Sequence, residues 1–412
     1  MTDSQCRQDA PVPQRFAAID ALRGLGAVGI ACYHIHRYGP LPEAADAILP
    51  GSIQTLIGHG WMAVQMFFVV AGFVTAYSLR NERLNLSASA NFALRRLLRL
   101  GIPYWMILLL VLGMSYPAIY GLKDTTLAEP ISWHQFLANA FFLHKILGYD
   151  SLSAGLWFVC IDLQFGLLMV TLSWLAQRLA CGHPRGSTVD VLALTATYVP
   201  LALLSLFYFG VGTDDYTWLH TYFYLCFLGV LAWWALERRV PAWFFWTYMV
   251  LLVVGLLQRW ELESVPTPAE IVAVGEPAES APLYGVKEVA MAMLTGVGIF
   301  LLGRSGHLNT WFKARWLQYL GKISYSLFLI HYPVSWAVTT LGYGLTGERP
   351  AAAVCWLGLA VLASVGAADL MYRFVERPSV RWVQRLKLRQ SGHADAALSR
   401  VPSSRSSVTE TV

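Results

Sequence analysis

Residues 15–39 read "RFAAIDALRGLGAVGIACYHIHRYG". Most of this stretch is Leu, Ile, Val, Ala and Gly. It is long enough to cross a bilayer, whose ~30 Å hydrocarbon core takes about 20 apolar residues as a helix. Yet Asp20, Arg23 and His34 sit within it. Ionisable groups at membrane depth are costly and mark function by default. At about 100° per residue, Asp20 and Arg23 are one turn apart. From Arg23 to His34 the helix makes about three turns and rises ~16 Å. All three therefore share one stripe, and His36 points nearly opposite. The stripe predicts a helix that lines a polar path, with Asp20 paired to Arg23. The plainer alternative is an interfacial Asp20–Arg23 anchor and a His34 bonded to neighbouring backbone.

The rest of the chain agrees with a membrane setting. Of 412 residues, 56% are hydrophobic and 13% charged, and the mean hydropathy is +0.49. A soluble domain is about a quarter charged, so an all-α polytopic membrane protein is expected. Candidate spans lie near 16–37, 57–79, 98–118, 152–176, 189–209, 217–236, 241–259, 287–303, 317–340 and 351–373, about ten transmembrane helices by the 20-residue ruler. The stretch 134–148 is too short and polar to span, and either lies at the interface or re-enters. Residues 1–15 read as a cytoplasmic tail, 16–382 as one transmembrane domain, and 383–412 as a basic, disordered cytoplasmic tail. The polar start lacks signal-peptide architecture, so the first apolar run reads as a retained span.

Basic residues set the orientation. With the N-terminus in the cytoplasm, roughly 24 of the 30 Lys and Arg fall inside, a strong positive-inside bias. The loops 210–216 and 260–286 fall outside, and both termini are predicted cytoplasmic. The net charge of +5 thus reports topology, and nucleic acid is not an expected partner. Six scattered cysteines form no Cys-x-x-Cys pair, which argues against zinc or a disulfide framework. There is no P-loop and no Gly-x-Ser-x-Gly elbow. No His-x-x-x-His pair suggests a metal.

Four further stretches carry polar groups at membrane depth. In "NFALRRLLRLGIPYWM" (91–106), Arg95 and Arg99 are i, i+4 neighbours with Arg96 beside them. Two guanidinium forks on one face suit phosphate; otherwise they are positive-inside anchors. In "GLWFVCIDLQFGLLMV" (155–170), Asp162 and Gln164 lie inside a span, as does Trp157, on one face with Gln164. Asp162 is either a partner for a cavity Arg or His or a contact between helices. In "LGKISYSLFLIHYPV" (320–334), Ser324 and His331 share a face. In "RFVERPSVRW" (373–382), Glu376 is expected to pair with Arg373 or Arg377.

In this order, the five stretches resemble the acyltransferase-3 family of bacterial integral-membrane O-acyltransferases. Asp20-Ala21-Leu22-Arg23-Gly24 with Tyr33-His34 resembles its opening motif, with Ala21 where Gly is usual. "WMAVQMFFVVAGFVTA" (61–76) is similar to its second helix, with Ala71 for Ser. Arg95-x-x-x-Arg99 before Pro103-Tyr104-Trp105, "LWFVCIDLQF", "ISYSLFLIHYPV" and "VERP" complete the likeness. It covers residues 16 to 382.

The resemblance implies an enzyme of the bacterial inner membrane that moves an acyl group, usually acetyl, from cytoplasmic acetyl-CoA to a hydroxyl. The acceptor would be an envelope glycan such as lipopolysaccharide O-antigen or exopolysaccharide, with no metal needed. It makes Arg95, Arg99 and His34 the essential residues. Asp162 and Leu163 depart from the family's two glutamates. On this reading Arg95 and Arg99, with Arg23 nearby, hold donor phosphates, and His34 is a general base or carries the acyl group itself. Asp162 and His331 are the candidates to fix its tautomer, since Asp20 lies ~21 Å down the helix. A small-molecule acceptor such as a macrolide, a longer acyl group such as succinyl, and a secondary transporter stay as alternatives. A transporter would usually show internal repeats or paired broken helices, and neither is seen.

Overall fold

A computed structural model describes residues 15–117, 131–210, 218–263 and 281–384. The tails and the loops at 210–216 and 260–286 lie wholly or partly outside these residues. All regular structure among the described residues is helical. The chain forms α1 (Ala17–Arg37), α2 (Pro42–Asp46), α3 (Gly51–Gly58), α4 (Ala63–Leu79), α5 (Leu86–Pro117), α6 (Trp133–Ala140) and α7 (Leu156–Leu179). It continues with α8 (Thr188–Leu204), α9 (Leu219–Leu236), α10 (Ala242–Glu263), α11 (Ala281–Arg304), α12 (Arg315–Thr346) and α13 (Pro350–Met371).

Among the described residues, seven helical segments are long and apolar enough to cross a membrane: Gly51–Leu79, Leu86–Ser115, Leu156–Leu179, Thr188–Phe209, Leu219–Leu236, Gly285–Arg304 and Pro350–Gln384. α1 and α12, with 21 and 32 residues, are long enough but not among them. They are the helices diluted by Asp20, Arg23, His34, Lys322 and His331. The bundle is also apolar on its outside. Leu109, Leu294, Leu362 and Leu370 are at least 57% exposed. Such leucines gain nothing from facing water but are at home against lipid tails. This is a multi-pass membrane protein.

Burial sorts the helices. In α9, 78% of the most apolar window is buried, against 28% in α5 and α13, so α9 is central and the other two are peripheral. α4 packs along α9, α5 along α7, and α1 along α12, which in turn packs along α13. The two polar helices thus face each other. Gly24 and Gly321 let them approach: a Cβ on Gly24 would come within 2.6 Å of the Gly321 backbone. The stretch 134–148 does not span. It forms α6 and a run of turns pinned to the neighbouring helices: Tyr104 OH donates to Asn139 O (2.9 Å), Trp105 Nε1 to Ala140 O (2.8 Å) and Cys160 Sγ to Phe142 O (2.9 Å). Tyr104 lies about 20 Å along α5 from its C-terminal end.

Candidate functional site

At the end of the bundle where α1 and α5 begin, a cavity of about 350 Å³ opens between α1, α4, α5, α7, α12 and the segment following α13. Four arginines line it: Arg23 from α1 and Arg95, Arg96 and Arg99 from α5. Glu82, Asp162 and Glu376 line it too. The i, i+4 spacing on α5 puts Arg95 and Arg99 on one wall, as expected, and Arg23 comes from α1.

The arginines differ in what they touch. Arg96 is tied down. Its Nη2 lies 2.8 Å from Asp162 Oδ1 and 3.0 Å from the Asp162 carbonyl, and its Nη1 donates to Thr75 Oγ1 at 3.2 Å. Arg23, Arg95 and Arg99 make no hydrogen bond or ion pair with any described residue. Arg99 is exposed, facing the cavity. Three guanidinium forks therefore reach the cavity with their donors unused, and the fourth is spent on the wall.

Three expected pairings are corrected here. Asp20 does not pair with Arg23: Arg15 Nη2 lies 2.9 Å from Asp20 Oδ2. The stripe on α1 is real, but Asp20 turns back to the chain just before the helix and leaves Arg23 to the cavity. Glu376 pairs with neither Arg373 nor Arg377. Arg373 binds Asp369 one turn earlier (2.7 Å), and Glu376 Oε2 accepts from Ser326 Oγ at 2.6 Å. Asp162 does not reach a histidine; of the two partners expected for it, it takes the cavity arginine, Arg96.

The histidines lie outside this cavity. His34 of α1 and His331 of α12 meet where those helices pack, with His34 Nδ1 2.7 Å from His331 Nε2 and the rings nearly parallel (13°, centroids 5.0 Å apart). The backbone decides the protons. His331 Nδ1 lies 3.1 Å from the Leu327 carbonyl, which can only accept, so this nitrogen carries the hydrogen. His331 Nε2 then offers a lone pair, and His34 Nδ1 must donate to it. That leaves His34 Nε2 unprotonated. His331 is fully buried, and His34 is half-buried. Tyr33 and Tyr38 stand 5.5 and 5.6 Å from the His34 ring, and Tyr38 meets Tyr332 edge-on. His36 faces away, 3.4 Å from Asp46.

Of the residues singled out in sequence, Arg23, Arg95, Arg99 and Asp162 gather at the cavity, and His34 and His331 gather as a pair. The wall role of Arg96 was missed, although an arginine and an aspartate both inside spans were the available signal. A buried bond between Gln65 Nε2 and Glu288 Oε1 (2.6 Å) joins α4 to α11 and was also missed. Glu288 inside an otherwise apolar run was its signal.

A multi-pass helical bundle with a basic cavity at one end and a tautomerically fixed histidine pair beyond it defines the class. Residues 16–373 match the family pattern for an acyltransferase domain, and the chain belongs to the acyltransferase-3 family. It is 25% identical over 389 residues to the peptidoglycan O-acetyltransferase OatA of Listeria monocytogenes, covering 88% of this chain and 55% of the relative. It is 24% identical over 391 residues to the O-acetyltransferase OatA of Staphylococcus aureus, covering 89% and 57%. The chain thus spans little more than half the length of these curated relatives. No solved structure matches.

Proposed function

We propose that this protein transfers an acetyl group from cytoplasmic acetyl-CoA to a hydroxyl of a cell-envelope glycan, working in the bacterial inner membrane. In this reading α1, α10 and α12 complete a ten-span bundle with both termini in the cytoplasm, and the arginine cavity opens to that side. The family membership and the relatives' names support acyl transfer. The single observation that carries the site is the tautomer chain from the Leu327 carbonyl through His331 to a lone pair on His34 Nε2.

The donor is a thioester bearing several phosphates. Arg23, Arg95 and Arg99 offer unused, permanently charged forks to those phosphates. The thioester end then travels inward toward the histidine pair. His34 Nε2 accepts the proton of the acceptor hydroxyl as its oxygen attacks the thioester carbonyl. The carbon–sulfur bond breaks, and the proton passes to the departing sulfur as CoA thiol. His331 touches no reacting atom. It holds His34 Nδ1–H and so positions the ring. Tyr33 and Tyr38 stand beside His34, with Tyr332 edge-on to Tyr38, and these rings give a sugar an aromatic surface to approach.

The test uses membrane vesicles and acetyl-CoA labelled in the acetyl group, comparing label on envelope glycan for wild type, His34→Ala and His36→Ala. Loss in His34→Ala alone is expected. Equal transfer by all three would remove His34 from the chemistry.

A further inference from the structure

On three helices that wall the arginine cavity, the lining residue farthest from its mouth is a phenylalanine. On α4 the wall runs inward from Ser78 through Val74 and Ala71 to Phe67; on α7 it ends at Phe158, one turn beyond Asp162; on α12 it ends at Phe328, one turn beyond Ser324. These three rings touch pairwise. Their centroids are 5.9 Å apart for Phe67 and Phe158, 5.7 Å for Phe67 and Phe328, and 5.3 Å for Phe158 and Phe328. They therefore close a triangle across the inner end of the cavity.

One turn further along α12 comes His331, whose ring centroid is 6.2 Å from that of Phe328. Neither His34 nor His331 lines the cavity. The three rings thus stand between the free arginines and the histidine pair. Phe328 is held at its back: a Cβ on Gly155 would come within 2.7 Å of the Phe328 carbonyl and 3.2 Å of its ring. A phenyl ring has no N–H or O–H to donate and no lone pair to accept with. The three rings can therefore swing aside without breaking a hydrogen bond, which suits a barrier that has to part.

We propose that Phe67, Phe158 and Phe328 form an aromatic gate that is closed without donor, parts for the thioester arm, and passes only a short, uncharged acyl group. This rests on the reading that the donor enters through the arginine cavity. A carboxylate such as that of a succinyl group would meet no donor among the rings, and burying it unpaired is costly. An added methylene in an apolar site changes selection by about 10–200-fold, so a butyryl group would be disfavoured on size alone.

The experiment has two arms on the full-length protein in sealed vesicles. In the first, His34→Cys is labelled from the arginine side with a membrane-impermeant thiol reagent, and modification at position 34 is read by peptide mass. Adding Phe67→Ala is expected to speed labelling at least tenfold, while labelling of exposed Cys181 stays constant. Equal rates would overturn the gate. Phe158→Leu serves the same test with a smaller change in packing should Phe67→Ala fail to fold. In the second arm, Phe67→Ala in the otherwise natural chain is offered acetyl-CoA, butyryl-CoA and succinyl-CoA. A butyryl-to-acetyl transfer ratio about tenfold above that of wild type is expected. An unchanged ratio would overturn the size filter. If wild type transfers from none of the three, the donor reading fails, and the labelling arm alone still decides the gate.

Discussion

The arginine cavity and the histidine pair are solved by opposite means. At the cavity, three of four guanidinium groups have no hydrogen-bond or ion-pair partner among the described residues. At the pair, every ring nitrogen but one is bonded within the protein. The difference follows from the chemistry of the two side chains. A guanidinium is always charged and presents fixed donors, so it needs only open space to bind an anion. An imidazole can hold its proton on either nitrogen, so using it as a base requires another group to choose the tautomer. On the proposed reading, donor binding is built by withholding partners, and proton transfer by supplying them.

This contrast breaks first at His34. Replacing it with Ala should lower acyl transfer by about 10²–10⁴-fold while donor binding stays as in wild type. His331→Phe should also lower transfer, by less, with the donor KM unchanged. A raised KM in either variant would place the histidines in donor binding. Next come Arg95→Ala and Arg99→Ala. A charge-assisted hydrogen bond is worth about 1.5–3 kcal/mol, so each should weaken donor binding by about 10–150-fold, and the loss should shrink in high salt. Calorimetric titration with acetyl-CoA in nanodiscs reads this directly.

Arg96 sharpens the comparison, because it sits among the free arginines but is spent on Asp162. Both side chains keep 16% exposure. Removing one partner should therefore cost stability at the low end for a broken ion pair, about 1–3 kcal/mol, read as a lower Tm in detergent for Arg96→Ala or Asp162→Ala. A full-sized loss of donor affinity with no change in Tm would show that Arg96 binds the donor instead. The smallest effect is expected at His144, in the turn after α6. Its ring is buried and neither nitrogen has a partner among the described residues. Burial pushes its pKa down to about 4, below the ordinary 6.5. The unfolded chain therefore takes up a proton first. The stability His144 confers is complete above about pH 6.5 and is lost as pH falls toward 4. His144→Leu should flatten the dependence of Tm on pH across that window without changing transfer at pH 7.

What could be read from sequence divides along the same physical line. A helix's period places residues on a face. That made the Arg23–His34 stripe, the Arg95–Arg99 wall and the Ser324–His331 face legible. Period does not say which helix lies opposite. Arg96 with Asp162, His34 with His331, and Glu376 with Ser326 are all contacts between helices far apart in the chain, and only the packing of α1 on α12 and α5 on α7 settles them. Even the local pair was misread: Asp20 bonds back to Arg15, in extended chain where helical spacing does not apply. Phe67, Phe158 and Phe328 lie within the quoted stretches, but nothing in an apolar run says which rings from different helices meet.

The central claim is that donor binding and proton transfer are housed in separate places. The most direct measurement takes one preparation each of wild type, His34→Ala and Arg99→Ala, and determines both the Kd for acetyl-CoA and the rate of acetyl transfer at saturating donor. His34→Ala should bind like wild type and fail to transfer. Arg99→Ala should bind weakly and recover its transfer rate as donor is raised. Equal loss of binding in both variants, or transfer by His34→Ala at the wild-type rate, would contradict it.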